Sequence, residues 1–284
     1  FSEVIRMYGK ITSDGNSREY TLGKEKGDTM KRKKHKGIYI LPNLLTSISL
    51  FAGFYAIVSS INMKFTHAAY AVFVSGIFDM LDGRVARLTG SSSRFGVEYD
   101  SLSDVIAFGV APGILVYMWA LKGYGRFGWL AAFLFVACGA LRLARFNVQV
   151  ENAQKKNFLG LPIPAAAATI AGSVLFYSWM GYADGIKTIF MPILVYILAL
   201  LMVSDIRYYS FKDMAFFRGR PFRSTVAAIL FLVIIFIEPE VTLFIATTLY
   251  VLSGPVYTLL VKKKVIIENV PRSKENQAEH GGRL

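Results

Sequence analysis

The chain has 284 residues, 54% hydrophobic and only 18% charged, against about a quarter charged in soluble domains, and its mean hydropathy is +0.44. With repeated apolar runs of about 20 residues, this composition excludes an ordinary soluble enzyme and points to a polytopic membrane protein. The net charge of +13 then reads as cytoplasmic loops resting on anionic lipid heads, not as nucleic-acid binding, for which no soluble domain is at hand.

Residues 1–36 are polar and end in the basic run KRKKHK. They show no signal-peptide plan, the first thirty are expected to lack a packed core, and Met30 would make a natural start. A membrane domain is expected over 37–264 and a polar tail over 265–284. Eight apolar spans are predicted near 41–61, 67–88, 100–121, 127–148, 161–180, 188–206, 224–238 and 240–261. The seventh is short, and the EPE at 238–240 turns tightly into the eighth. Positive charge alternates between the loops. One side holds Arg94, Lys155, Lys156, the loop from Arg207 to Arg223, and Lys262, Lys263 and Lys264; the other holds only Lys64, Lys122, Arg126 and Lys187. This bias sets both termini in the cytoplasm. The expected fold is an all-α bundle of about eight transmembrane helices. Cys138 lies in an apolar run and reads as a buried thiol. His35, His67 and His280 are scattered and make no zinc pattern.

The stretch FDMLDGRVARLTGSSSRFGVEYDSLSD, residues 78–104, breaks the apolar pattern. Carboxylates are costly at helix ends in a membrane and mark function there. Asp79 and Asp82 share one helix face, and Asp100 and Asp104 share a face of the next helix. The short connection TGSSSRFG lets a hairpin gather all four. Four such charges repel one another, and divalent cations resolve the conflict. An all-oxygen donor set suits Mg²⁺ or Mn²⁺, and four carboxylates have capacity for two ions. Gly76, Gly83 and Ala86 leave one side of the second helix bare, and Gly96 does the same for the third. Arg87 and Arg94 supply positive charge for phosphate. The set suggests a diphosphate whose lipid part lies in the bilayer.

The order of these residues is D-x-x-D-G-x-x-A-R, eight residues, then G-x-x-x-D-x-x-x-D: Asp79, Asp82, Gly83, Ala86, Arg87, Gly96, Asp100, Asp104. This resembles the signature of the CDP-alcohol phosphatidyltransferases, and the resemblance covers roughly residues 38–262. LPNLLT (41–46), RLARFN (142–147), GLPIPAAA (160–167) and SDIRYYSFK (204–212) are similar to the branch of that family that uses serine. The resemblance implies a helical, homodimeric membrane enzyme of the cell (inner) membrane. Its active site faces the cytoplasm, and it transfers a phosphatidyl group from CDP-diacylglycerol to L-serine, with release of CMP. It implies Asp79, Asp82, Asp100 and Asp104 as ligands of two Mg²⁺ or Mn²⁺ ions, with Asp104 also the base for the acceptor hydroxyl. Gly83, Ala86, Arg87 and Gly96 would contact the CDP part. Asn43 and Thr46, at the start of the first helix, are expected to line the same pocket.

Three assignments stay open in the sequence. Arg142 and Arg145 either take the acceptor's carboxylate or a lipid phosphate, or they snorkel to the interface. Arg94 either clamps phosphate from a mobile loop or is a solvated charge. The acceptor is serine by resemblance, with glycerol 3-phosphate, inositol phosphate or choline as alternatives and an ether-linked archaeal lipid as an alternative donor. Tyr208 and Tyr209 fit an interfacial anchor belt, and Ala165–Ala168 favour close helix packing. A cation transporter is the rival of another class. It would spread its acids through the midplane, whereas here they gather at one face.

Overall fold

A computed structural model describes residues 40–91, 93–151, 160–182, 185, 188–206, 208, 226, 229–230, 233 and 237–268, with side chains described to 148 and 259 in the two helices that end at 151 and 268. Among these residues all regular structure is helical. Helix α1 spans Ile40–Ile61 and α2 Phe65–Thr89. Helix α3, Arg94–Asp104, runs on through a π-helical segment, Val105–Val110, into α4, Ala111–Val116. A second π segment, Tyr117–Leu121, and a 3₁₀ turn, Lys122–Tyr124, lead to α5, Gly125–Glu151. Then come α6, Ile163–Trp179, α7, Phe190–Val203, and α8, Pro239–Glu268.

Among the described residues, three stretches are long and apolar enough to cross a membrane: Ile40–Ile61, Arg94–Val148 and Pro239–Leu259. Helices α6 and α7 are apolar but shorter. Helix α2 is long enough, but Asp79, Asp82, Arg84 and Arg87 lower the hydropathy of its second half. Most of the predicted seventh span, 224–238, lies outside the described residues, as do Lys155, Lys156 and all of the basic loop 207–223 except Tyr208.

The helices are held by small residues and buried hydroxyls, as membrane packing favours. Helix α6 is the centre. It packs against α2 and α8 and is buried at Ile163, Ala166, Ala167, Thr169, Ile170, Ala171 and Val174. Its Gly172 lets the backbone of α8 approach: a Cβ there would lie 3.2 Å from the Phe244 Cα. On α1, Gly53 meets the π segment so closely that a Cβ would stand 2.7 Å from the Ala107 Cα. Ser49 and Ser75 exchange hydrogen bonds of 2.8–3.0 Å between α1 and α2. Cys138 is buried, as its surroundings imply.

Two prolines shape the bundle. Pro112 has no N–H for the Phe108 carbonyl, and its ring crowds that carbonyl. The turn before it widens, so that the Ala111 N–H reaches back to the Ile106 oxygen, a five-residue π-type step. Pro255 lies inside α8 and frees the carbonyl of Val251, four residues back. The Tyr208 hydroxyl takes up that carbonyl, donating to the Val251 oxygen at 3.1 Å. Gly254 makes the space: a Cβ there would fall 2.4 Å from the Tyr208 ring. Tyr208 is therefore not an interfacial anchor. It is 5% exposed and keyed into α8, because the freed carbonyl and the missing side chain form a socket for a phenol. Tyr209 lies outside the described residues.

The connection between α2 and α3 is shorter than the sequence suggests. Gly90 closes α2 in the left-handed conformation, φ 59°, with its N–H on the Ala86 oxygen. Ser93 then caps α3 by accepting the Gly96 N–H at 3.0 Å. Arg94 and Gly96 thus belong to the first turn of α3 and not to a mobile loop.

Candidate active site

The end of α2, the start of α1 and helix α3 meet at one place. Asp79 and Asp82 come from the same face of α2, and Asp100 from the facing side of α3. Each offers a carboxylate oxygen, and the three oxygens lie within 4.8 Å of one another. Asp82 is 4% exposed. The Thr46 hydroxyl of α1 sits 2.8 Å from its Oδ2 and 3.1 Å from the Pro42 carbonyl. Asp100 Oδ1 is fully shielded and has no hydrogen-bond partner among the described residues. Asp104 stands one turn beyond Asp100, immediately before the π segment, and its carboxyl is within hydrogen-bonding reach of Asp79. It adjoins the three-oxygen group through Asp79 and is not part of it.

Buried carboxylates at this spacing need positive charge between them. The donors are all oxygens, and one is buried without a partner among the described residues. The arrangement fits a hard divalent cation held by Asp79, Asp82 and Asp100.

The frame around the carboxylates is polar and specific. Ser103 Oγ donates to the Thr46 carbonyl at 3.3 Å, and Ser47 and Tyr99 share a 2.9 Å hydrogen bond, tying α3 to α1. Asn147 Nδ2 donates to Ser101 Oγ at 2.9 Å, tying α5 to α3. Asn43 crosses over Gly96, where a Cβ would lie 3.2 Å from Asn43 Oδ1. Arg87 folds back over Gly83, with NH1 3.3 Å from where a Cβ would be, and its charge acts on Asp82. Ala86 is half-buried on the same helix. Gly76 differs from the expectation of a bare helix side: it faces the Phe108 ring, 3.8 Å from a built Cβ, and is a packing position.

The arginines separate. Arg94 is exposed in the first turn of α3. Arg145 forms an ion pair of 2.8 Å with Asp205, the two side chains 41% and 79% exposed. Arg142 points inward. Its Nε is shielded and without a hydrogen-bond partner among the described residues, and its charge acts on both Asp104 and Tyr250. Tyr250, Tyr208 and Asp205 did not emerge from the sequence as site neighbours. The visible signal was Gly254–Pro255, a helix interruption that asks for a partner.

Residues 39–204 match the family described as CDP-alcohol phosphatidyltransferase, which is more than half of the chain. The chain belongs to that family. It is 39% identical over 230 residues to the CDP-diacylglycerol–serine O-phosphatidyltransferase of Helicobacter pylori (strain ATCC 700392 / 26695), covering 81% of this chain and 95% of that protein. It is 41% identical over 181 residues to the archaetidylserine synthase of Methanothermobacter thermautotrophicus, covering 63% of this chain and 73% of the relative. The CDP-diacylglycerol–serine O-phosphatidyltransferase of Methanocaldococcus jannaschii is 36% identical over 179 residues, 63% of this chain and 78% of its own. Family membership makes the protein a transferase.

Proposed function

We propose that the protein transfers a phosphatidyl group from CDP-diacylglycerol to L-serine, giving phosphatidylserine and CMP. The observation that carries this is the group of Asp79, Asp82 and Asp100 with a buried oxygen that has no partner among the described residues, in a chain 39% identical to a CDP-diacylglycerol–serine O-phosphatidyltransferase over 81% of its length. Asp79, Asp82 and Asp100, with Asp104, would hold two Mg²⁺ or Mn²⁺ ions, which would supply positive charge to the diphosphate and to the departing CMP.

The chain's own residues do the rest. Thr46 fixes the orientation of Asp82. Gly83, Ala86 and Gly96 let the nucleotide approach the backbone, with Asn43 and Arg87 supplying polar contacts and Arg94 a phosphate contact at the entrance. The serine hydroxyl attacks the phosphorus that bears the lipid. A new P–O bond forms, the bond to CMP breaks, and Asp104 takes the hydroxyl proton. A free aspartate is a weak base for an alcohol, so the proton moves late, as the new bond forms. Arg142 receives the acceptor's carboxylate; Arg145 pairs with Asp205 at the exposed end of α5 and takes no part in the transfer. The chain crosses the membrane eight times with both termini in the cytoplasm, acts as a homodimer, and opens its site to the cytoplasm from the cell membrane.

The test is CMP release by purified protein with Mg²⁺ or Mn²⁺, comparing serine with glycerol 3-phosphate, inositol phosphate and choline. Serine-dependent release with phosphatidylserine formed is expected; release driven by another acceptor would overturn the choice of serine. The resemblance to an archaetidylserine synthase at 41% identity supports a second reading, in which the donor is ether-linked. A dialkyl CDP-lipid run beside CDP-diacylglycerol separates the two.

A further inference from the structure

The run RLARFN ends on Asn147, and the transfer described above makes no use of that residue. Asn147 belongs to α5, which packs against the π segment that follows Asp104. Its Nδ2 donates to Ser101 Oγ of α3 at 2.9 Å. Ser101 comes directly after Asp100 and three residues before Asp104, so Ser101 and Asp104 share a face of α3. The rise between them is about 4.5 Å. Asn147 therefore meets α3 one turn from the group proposed as the base.

An amide has two ends, and Ser101 decides which one faces α3. The Ser101 hydroxyl donates its proton to the Val97 carbonyl at 3.0 Å, so toward Asn147 it only accepts. The amide nitrogen must then be the atom turned to Ser101, and Oδ1 stands on the other side of the amide carbon. Oδ1 takes no hydrogen bond among the described residues, and the side chain is half-buried. Its nitrogen holds that oxygen in place as a neutral acceptor. Neutrality matters beside four carboxylates: a fifth would add to their repulsion and compete for cations, whereas an amide oxygen reads a positive group without doing either.

We propose that Asn147 is a specificity-determining residue, whose Oδ1 accepts a hydrogen bond from the ammonium of an amino alcohol with its hydroxyl at Asp104. The inference deepens the reading of the acceptor as serine and rests on it. Choline carries a quaternary nitrogen with no N–H to donate. Glycerol 3-phosphate and inositol phosphate bring neutral hydroxyls, weaker donors than an ammonium.

The experiment measures the KM for L-serine and the inhibition constant of 3-hydroxypropanoate, which lacks the ammonium, by CMP release from full-length protein in lipid nanodiscs with CDP-diacylglycerol and Mn²⁺. In Asn147→Leu, which keeps the shape of the side chain, the KM for serine is expected to rise about tenfold or more, as for a lost hydrogen bond to a charged group. The inhibition constant of 3-hydroxypropanoate should stay within about threefold. Ser101→Ala breaks the same tie between α5 and α3 but leaves Oδ1 present, and its KM for serine should stay within about threefold. An unchanged KM in Asn147→Leu overturns the proposal. An equal weakening of 3-hydroxypropanoate overturns it too, because the ammonium is then not what Asn147 reads. An equal rise in Ser101→Ala also overturns it, tracing the effect to helix packing. Serine use by the unsubstituted protein separates the two readings. If serine drives CMP release and Asn147→Leu leaves its KM alone, only the role of Asn147 falls; if serine drives no release, the choice of acceptor falls and the role of Asn147 with it.

Discussion

Thr46→Val tests whether the frame around the carboxylates tunes the site or only fills space. The substitution keeps the β-branched shape and removes one hydroxyl. That hydroxyl lies 2.8 Å from Asp82 Oδ2 in a side chain 4% exposed, so no water readily replaces it. Hydrogen bonds to charged groups contribute about 1.5–3 kcal/mol. Loss of a group that orients a metal-binding carboxylate costs about 10–100-fold in metal affinity, which at about 1.4 kcal/mol per tenfold is the same range. The half-saturating Mn²⁺ concentration for CMP release, measured on chelator-treated protein, should therefore rise about 10–100-fold. The KM for serine should not move, because Thr46 does not face Arg142 in this scheme. Thr46→Ser retains the hydroxyl and should restore most of the affinity. A Thr46→Val protein with an unchanged Mn²⁺ requirement would refute the argument, and Asp82 would then need no orienting partner.

Gly53→Ala should disturb the site from a distance. Its Cβ would fall 2.7 Å from the Ala107 Cα, against about 3.5–4.0 Å for a comfortable carbon contact, so α1 must shift by about 1 Å from the π segment. Overpacking of this kind costs about 1–3 kcal/mol in thermal unfolding, and a displacement of that size near Asp104 should lower CMP release by about 10²-fold; full activity would show that the contact does not position the carboxylates. Arg145→Ala should do little, since its partnership with Asp205 is exposed at 41% and 79% and such pairs contribute about 0–1 kcal/mol. Its KM for serine should match that of the unsubstituted protein, and a large rise would move the acceptor site from Arg142 to Arg145.

The sequence by itself determined the class of the protein and the meeting of Asp79, Asp82 and Asp100. Hydropathy is additive along a chain, so the helical, membrane-spanning character is readable without any tertiary contact. Asp79 with Asp82, and Asp100 with Asp104, each lie within one helical turn, and a short connection joins the two pairs; their meeting is a local consequence of helical period. What sequence reasoning misjudged was how the backbone bends and what the buried polar groups face. It took TGSSSRFG as one loop, whereas Ser93 caps the next helix and draws Arg94 and Gly96 into it. It passed over Pro112, although a missing N–H and a crowded Phe108 carbonyl are what widen the helix just after Asp104. Only the tertiary structure divided Arg142 from Arg145, three residues apart in sequence: one turns to Asp104 and Tyr250, and the other to Asp205. Only the tertiary structure turned Tyr208 from an interfacial residue into a plug for the socket of Gly254 and Pro255. The hydrogen bonds behind these outcomes join residues more than 40 apart in the chain. A periodic pattern fixes which face a residue occupies, but not which distant carbonyl or carboxylate will be waiting there.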